Sequence, residues 1–508
     1  ALYGSRAAGG VIMITTKSGD SARPRIEFTS TFGSVAMAVP YPERANTREY
    51  FELTWESIYN GQLDIGASPE QAAQYATDNV ISTLNINPFD VDNPFTPDGR
   101  IRPEANTLYE ADWDGELIQP QLQQEYTLSA SGTAHEGRTQ YFISGSYIQD
   151  RGVFTVQEFE RFSGRINASS RVRDWLEIGS NTSISHGVEP YADGAVWFMR
   201  SLPPIYPIWE YDFQEQQYIR DDEGNKIFDY GPYRREWAMW NPLADAEYNR
   251  SLFWSDNVSN RTFIDVTFLP GLKLRSSLSV DYAINWDQYY TNPTYGFMEG
   301  RGSASKTTQR NFGFTQNNIL SYERTIAEVH NLNIMGGMEF HTWKHNYVNA
   351  GREGFPFIGL YELASAATIT DAWSYEDNYR LISYLSRVEY NYDNRYYLSG
   401  SYRTDGSSRF HPDTRWGNFW SAGASWRISE EDFLQDVDWI DNLQLRTSYG
   451  AVGNDRISLY AYQGLFATGM NDGSHPGMLV SRLPTPDLKW ETNLQFNTGI
   501  NFRLFDRV

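Results

Sequence analysis

From about residue 24 onward, apolar and polar residues alternate with a period of two, the signature of half-buried β-strands. The clearest case is 272–285. Leu272, Leu274, Ser276, Leu278, Val280, Tyr282 and Ile284 fall on one face, and Lys273, Arg275, Ser277, Ser279, Asp281, Ala283 and Asn285 on the other. Segment 493–504 repeats it, with Leu494, Phe496, Thr498, Ile500, Phe502 and Leu504 set against Asn493, Gln495, Asn497, Gly499, Asn501 and Arg503. So does 161–169, where Phe162, Gly164, Ile166 and Ala168 oppose Arg161, Ser163, Arg165, Asn167 and Ser169. The pattern predicts about fourteen strands, near 24–35, 121–132, 138–150, 158–170, 175–186, 255–269, 271–287, 307–324, 329–342, 377–392, 395–408, 416–428, 442–450 and 489–505. Most exceed the ~9–11 residues with which a tilted strand crosses a bilayer.

The connections alternate in length. Short turns are expected near 133–137, 171–174, Pro270-Gly271, 325–328 and Asp393-Asn394. A modest connection, 429–441, reads as a helical turn capped by Ser429, with Asp432 at its third position. Long connections are expected at 36–120, 187–254, 288–306, 343–376 and 451–488. Short turns at one end and long loops at the other are the habit of outer-membrane barrels. The first long loop carries helix-like stretches over Thr47 to Asn60 and Ser68 to Thr83, the second opening with an N-cap Ser and Pro69 at the first helical position. The loop 187–254 is rich in Trp, and Trp197, Trp209, Trp237, Trp240 and Trp254 are candidate ligand contacts. Indole faces stack on sugar rings or peptide side chains, although such rings more often pack a loop against itself. Inward polar positions such as Arg161, Arg165, Lys273, Arg275, Asp281, Arg403, Arg427, Arg446 and Arg503 are expected to face a wet lumen or a plug. Leu274, Leu278, Val280, Phe496 and Ile500 are expected to point outward to hydrocarbon.

Composition narrows this further. The 508 residues carry 64 acidic and 42 basic side chains, a net charge of −22, which argues against a nucleic-acid partner. Aromatics at 15% exclude bulk disorder. No apolar run is long enough for a transmembrane helix, which leaves a membrane β-barrel open. With no cysteine, neither disulfides nor thiolate metal sites are available, as suits an exported bacterial protein. The first residues contain no signal-peptide pattern, and the chain reads as part of a longer polypeptide.

Catalytic motifs are absent: no nucleophile elbow, P-loop, dinucleotide fingerprint or H-E-x-x-H occurs. His341 and His345 would sit ~13 Å apart on a strand, too far for one metal. Asp221-Asp222-Glu223-Gly224-Asn225 reads as a hairpin turn rather than a calcium loop. No enzyme activity, cofactor or metal is expected.

The ends carry a more specific signal. Residues 1–19 form a Gly-rich turn followed by a strand: Tyr3-Gly4-Ser5-Arg6-Ala7-Ala8, then Gly10-Val11-Ile12, then Thr15-Thr16-Lys17 and Gly19. Further along come Arg403-Thr404-Asp405-Gly406-Ser407-Ser408-Arg409-Phe410, then Trp416 to Glu431, then Leu443 to Gly450 with Gly453-Asn454, then Pro486-Asp487-Leu488-Lys489-Trp490-Glu491-Thr492. In this order the segments resemble the TonB-dependent transporters of the SusC/RagA class. The resemblance implies an all-β fold, a transmembrane antiparallel barrel of 22 strands closed by an N-terminal plug. Residues 1–20 would be the C-terminal end of the plug, with Tyr3, Gly4, Arg6 and Gly10 its motif. Residues 21–508 would be the N-terminal part of the barrel, with extracellular loops at 36–120, 187–254, 343–376 and 451–488. It also implies the outer membrane of a Bacteroidota-type cell, a SusD/RagB-like lipoprotein lid, and drive from the TonB–ExbB–ExbD complex. The cargo would be an oligosaccharide or oligopeptide. A passive porin or adhesin barrel, and a soluble carbohydrate-binding all-β protein, are the alternatives.

Overall fold

A computed structural model describes residues 16–19, 23–155, 157–191, 201–434, 437 and 439–505. The plug motif residues Tyr3, Gly4, Arg6 and Gly10, and also Trp197, lie outside the described residues. In chain order the strands are β1 (Arg25–Val35), β2 (Gln121–Ala134), β3 (Thr139–Arg151), β4 (Glu158–Arg173), β5 (Leu176–Tyr191), β6 (Tyr211–Asp212), β7 (Gln217–Tyr218), β8 (Arg250–Leu269) and β9 (Leu272–Thr291). They continue with β10 (Ser303–Ile326), β11 (His330–Glu353), β12 (Thr368–Tyr392), β13 (Tyr396–Ser407), β14 (Trp416–Arg427), β15 (Ile440–Asn454), β16 (Leu465–Thr468), β17 (Met478–Arg482) and β18 (Glu491–Leu504). Two small hairpins, β6–β7 and β16–β17, stand apart in the loops. The other fourteen strands form one sheet in which each pairs antiparallel with its neighbour in sequence, and β1 and β18 are its two edges.

Register carries the alternation from strand to strand through the body of the sheet, and its shifts fall near strand ends, at Gly351/Arg352, Ile440/Asn442, Arg171/Arg173 and Thr267/Leu269; one residue of slip within the body would exchange the two faces. Val266, Leu274 and Leu320 share a row, as do Ile178 with Ile264 and Leu445 with Ile500. This face is the exterior: Leu278 is 37% exposed, Phe496 67% and Ile500 61%. Soluble proteins do not expose an apolar band of this extent, and lipid accepts it. Aromatic rows flank the band. Tyr392, Tyr396 and Trp426 lie at the short-turn end, and Trp254 stacks on Trp286 nearer the long loops, with ring centroids 5.7 Å apart. On the opposite face Asp265, which is buried, takes Arg275 in a two-pronged pair at 2.7 Å and Lys273 at 2.6 Å. Among the described residues no helix is long and apolar enough to cross a membrane.

Backbone geometry explains the short turns. Asp393 and Asn394 both have positive φ, at 51° and 55°, which suits a two-residue hairpin that follows the strand twist. Gly271 follows Pro270 at φ +85°, and a Cβ there would meet the Glu323 carbonyl oxygen at 2.1 Å. The Ser429 reading needs correction. Residues Ile428–Glu430 and Asp432–Leu434 form separate 3₁₀ turns; Ser429 lies within the first and its buried hydroxyl has no hydrogen-bond partner.

The strands also reach further toward the long loops than the alternation predicts. Most of 343–376 is strand, because β11 runs to Glu353 and β12 starts at Thr368, which leaves a loop of 354–367. Above the apolar band both faces meet water, so alternation fades there while the hydrogen-bonded ladder continues. At 24 residues, β11 is about 79 Å long at ~3.3 Å per residue, far more than a bilayer requires.

The long loops fold. Helices α1 (Thr47–Asp64) and α2 (Pro69–Leu84) each begin with a reciprocal capping box, Asn46 with Glu49 and Ser68 with Gln71. Short helices α3 (Trp113–Leu117) and α4 (Pro242–Tyr248) follow. The 36–120 and 201–249 segments share two apolar cores. In one, Phe51, Trp55, Val80 and Phe95 pack with Ile205 and Tyr206. In the other, Ala111 and Trp113 pack with Leu202, Ile208, Phe228, Tyr230 and Ala244. Together they make a single cap at the long-loop end.

Candidate functional site

The site is the inner face of the wall and the cap beside it. The alternation that turns Leu278 out turns Asp281 in, and the same holds strand by strand. Arg161, Arg165, Asp281, Asn311, His341 and Trp343 line an inner cavity of ≈ 720 Å³. A second inner cavity, ≈ 980 Å³, lies toward the short turns and is lined by Asn331, Glu389, Asn391, Arg446, Ser448 and Asn497. The expected inward residues are thus inside, and so are His341 and His345. Each has its own neighbour: His341 Nδ1 lies 2.8 Å from the Thr315 hydroxyl, and His345 Nδ1 lies 2.9 Å from Asn311 Oδ1. Asp221 closes a hairpin turn, its carboxylate accepting from the backbone N–H of Glu223 and Asn225 at 2.9 and 2.8 Å.

Residues 16–19, the described end of the proposed plug motif, approach this inner face. Asn167 of β4 is buried and donates its amide to the Lys17 carbonyl at 2.8 Å. Gly19 passes the β2–β3 hairpin so closely that a Cβ would lie 2.2 Å from the Gly132 carbonyl oxygen and 2.4 Å from that of Tyr141. The motif glycine therefore has a physical reason, since only a residue without a side chain fits between two backbones. Gly19→Val should lower stability by about 1–3 kcal/mol, read as the thermal midpoint of the folded full-length protein by its heat-modifiable electrophoretic mobility. An unchanged midpoint would mean that the strand end is not seated there.

The segment Arg403–Phe410, which the sequence marks only by resemblance, builds a buried clasp on the inner wall. Arg403, 3% exposed, donates to Asp405 Oδ1 at 2.7 Å, Glu339 Oε1 at 3.0 Å and Ser383 Oγ at 2.8 Å. Asp405 is fully buried, and its Oδ2 has no hydrogen-bond partner. Ser407 and Tyr379 both donate to Asp455 Oδ2, at 2.9 and 2.6 Å. Phe410, Phe419, Tyr379 and Trp490 close an apolar cluster around it. Strands β11 to β13 and the 451–488 connection are thereby tied together.

In the cap, the candidate tryptophans mostly pack. Trp209 lies 4.2 Å from the Phe228 ring, nearly parallel to it. Trp240 is 8% exposed, and Trp237 sits 5.4 Å from it. Trp254 belongs to the outer aromatic row described above, facing away from the lumen. Composition could not separate these roles, because a loop core and a binding face use the same residues. The 201–249 segment is further held by a buried ion pair, Arg234 Nη2 to Asp229 Oδ2 at 2.9 Å, with Arg234 also donating to the Pro207 and Trp240 carbonyls.

Asp245 of α4 is half-buried beside these groups, and desolvation raises its pKa from 3.8 to about 7. The Tyr230 hydroxyl approaches it at 3.4 Å and is itself pushed well up by burial, then by the neighbouring carboxylate. A carboxyl whose pKa rises on folding stabilises the fold fully below its unfolded pKa, near 4, and that contribution is lost as pH climbs through about 7. Exchange protection of residues 201–249, corrected for intrinsic rates, should therefore fall between pH 5 and 8. Asp245→Asn should remove most of that slope, and a slope that persists would exclude Asp245 as its source.

Comparison with known proteins fits this architecture. The chain is 27% identical over 522 residues to the TonB-dependent receptor SusC of Bacteroides thetaiotaomicron, covering 99% of this chain and 47% of that protein. A TonB-dependent receptor of Formosa agariphila is 24% identical over 515 residues, covering 100% of this chain and 44% of that one. The RagAB peptide importer in its closed-closed state superposes with a TM-score of 0.79 at 23% identity, covering 100% of this chain and 56% of that chain.

Along its whole length the chain is similar to TonB-dependent receptors, SusC among them.

No protein-family profile matches it. It spans about half the length of the curated relatives it matches. The fourteen strands are accordingly a stretch of transmembrane barrel wall, with its lipid face and its lumen face as the register assigns them.

Proposed function

We propose that the protein of which this chain is part imports oligosaccharides or oligopeptides across the outer membrane of a Gram-negative, Bacteroidota-type cell. Import is active: TonB, energised through ExbB and ExbD, pulls on the plug and opens the lumen. A SusD/RagB-like surface lipoprotein closes over the cap and traps the cargo. The observation that supports this reading is the similarity, along the whole of this chain and about half of each relative, to TonB-dependent receptors, SusC among them. It agrees with a wall that is apolar outside and wet inside, and with a glycine-seated strand end against the inner face. The wall does no covalent chemistry here; it holds a polar passage through lipid and presents loops.

Cap surfaces of 36–120 and 201–249 are the candidate lid contacts, with Trp237 the cap tryptophan kept as a ligand candidate. Deleting the TonB box of the full-length gene tests the central claim. Uptake of the cargo should fall to background. Uptake that continues unchanged would favour the passive porin instead.

A further inference from the structure

The outward face of the wall carries a groove that the register explains. Phe28, Leu128, Gly145, Gly164, Ile184 and Val258 follow one another across β1 to β5 and β8 as a single row. The row continues to Tyr282, which the alternation of β9 turns outward with Leu278. Two glycines interrupt the apolar band in the middle of this row. Gly145 and Gly164 pair directly, so the surface there falls to bare backbone. Large side chains rise on both sides, with Phe28 65% and Ile184 54% exposed. The groove measures ≈ 780 Å³, within the ~300–1,000 Å³ of sites that take a small ligand.

Two residues nearer the long loops, the next outward row roofs the groove. Tyr126, Tyr147 and Phe162 lie ring beside ring, with centroids 6.5 and 4.6 Å apart. His186 and Asp256 complete that row, Nδ1 lying 2.7 Å from Oδ1. Above it stands Glu160, in the same row as Trp254 of the aromatic belt that marks the edge of the hydrocarbon. Glu160 Oε1 accepts from the Tyr147 hydroxyl and from Gln149 Nε2, both at 3.0 Å. Its Oε2 accepts no hydrogen bond among the described residues. The groove thus lies in hydrocarbon, and its upper rim reaches the depth of lipid headgroups.

We propose that this groove holds one membrane lipid, an aminophospholipid, with an acyl chain over the glycine floor and its ammonium at Glu160. The inference goes beyond import and needs only the division between the two faces of the wall. Lipid is what meets this face, and hydrocarbon gains little from a protein surface that is merely apolar. A chain gains where the surface shape multiplies its contacts, as two adjacent glycines between taller side chains do. Charge selects the headgroup. Glu158, Glu160 and Asp256 stand at the rim; Glu158 is paired with Arg151 at 3.1 Å and Asp256 with His186. Glu160 is left without a cation among the described residues. A headgroup that carries phosphate alone would add a like charge there, whereas an ammonium supplies the missing one.

The test uses the full-length protein, isolated from the native membrane with its bound partners and stripped of lipid by detergent exchange. It is offered dioleoyl phosphatidylethanolamine or dioleoyl phosphatidylglycerol, and native mass spectrometry counts the lipids that stay. One phosphatidylethanolamine per chain should be retained, at about one-fifth of the concentration that phosphatidylglycerol needs, the worth of one interfacial ion pair. A Cβ at Gly145 meets no atom within 4 Å, so Gly145→Leu fills the groove without a clash. It should lower retention of both lipids about threefold or more, with the heat-modifiable mobility of the folded barrel unchanged. Glu160→Gln preserves side-chain volume and should erase the preference between the two lipids; it carries the test independently of Gly145. Retention that Gly145→Leu leaves unchanged overturns the proposal, as does a parent protein that holds the two lipids equally or a preference that survives Glu160→Gln. A dimer that retains no lipid and that Gly145→Leu converts to monomer would assign the groove to a second copy of the chain and equally overturn it.

Discussion

Arg403→Ala should cost the folded barrel about 3–5 kcal/mol, because it leaves the buried Asp405 carboxylate without its cation. Asp405 is fully buried, and one of its oxygens already lacks a partner. Glu339 and Ser383 lose the same guanidinium. The expected readout is a lower urea midpoint of the full-length protein in lipid vesicles, followed by the heat-modifiable mobility of the folded barrel. A paired replacement, Arg403→Met with Asp405→Leu, should recover much of the loss. Removing both charges eliminates the desolvation penalty that breaking the pair exposes. A single substitution that costs under about 1 kcal/mol would mean that water reaches the clasp.

What the sequence discloses follows from the length scale over which each feature is encoded. A strand such as β9 writes its two environments directly into neighbouring residues, Leu278 outward and Ser277 inward, so its faces are legible from a dozen positions. The upper half of β11 is not. His345, Tyr347 and Asn349 face the same way as Trp343, but Lys344, Asn346 and Val348 on the other face are no longer uniformly apolar, and the alternation ends where lipid does. The ring contacts that join Trp343, His345 and Tyr347 to Trp373 and Tyr375 are therefore not legible in the sequence. Their signal is Trp, His and Tyr at i, i+2 and i+4 opposite a Trp-x-Tyr pair, which takes on meaning only once the register of β11 and β12 is known.

The cap was legible in part. Helices α1 and α2 announce themselves through Asn46, Ser68 and Pro69, since capping is local. Their core is not local. Phe51 and Trp55 pack with Ile205 and Tyr206 from a loop some 150 residues away, and no periodicity in either segment marks the other as partner. The same limit applies to Trp209 and Trp240, whose packing depends on Phe228 and Arg234 rather than on their own neighbours in sequence. Gly19 is legible as a motif residue, yet its reason, two carbonyls from β2 and β3, is visible only in three dimensions.

The division between lipid and lumen faces has a direct energetic consequence. Leu278→Arg should destabilise the full-length barrel by about 2–4 kcal/mol, the cost of a cation on the lipid face near mid-membrane. Leu278 stands six residues beyond the first residue of β9 and shares its outward row with Thr262 and Gln316, so its side chain cannot reach an inward carboxylate. Ser259→Arg provides the contrast. Ser259 faces the lumen, and its hydroxyl donates to Asp281 Oδ1 at 2.6 Å, so an arginine there exchanges one hydrogen bond for an ion pair in a wet space. That variant should stay within about 1 kcal/mol of the parent. Both are read from folding and unfolding titrations in vesicles of a single lipid, with bilayer thickness as a second variable. The Leu278→Arg penalty should shrink in thinner bilayers, where the guanidinium snorkels to the interface over a shorter path. Equal costs at the two positions would remove the distinction between the faces, and with it the lumen and the import reading built on it.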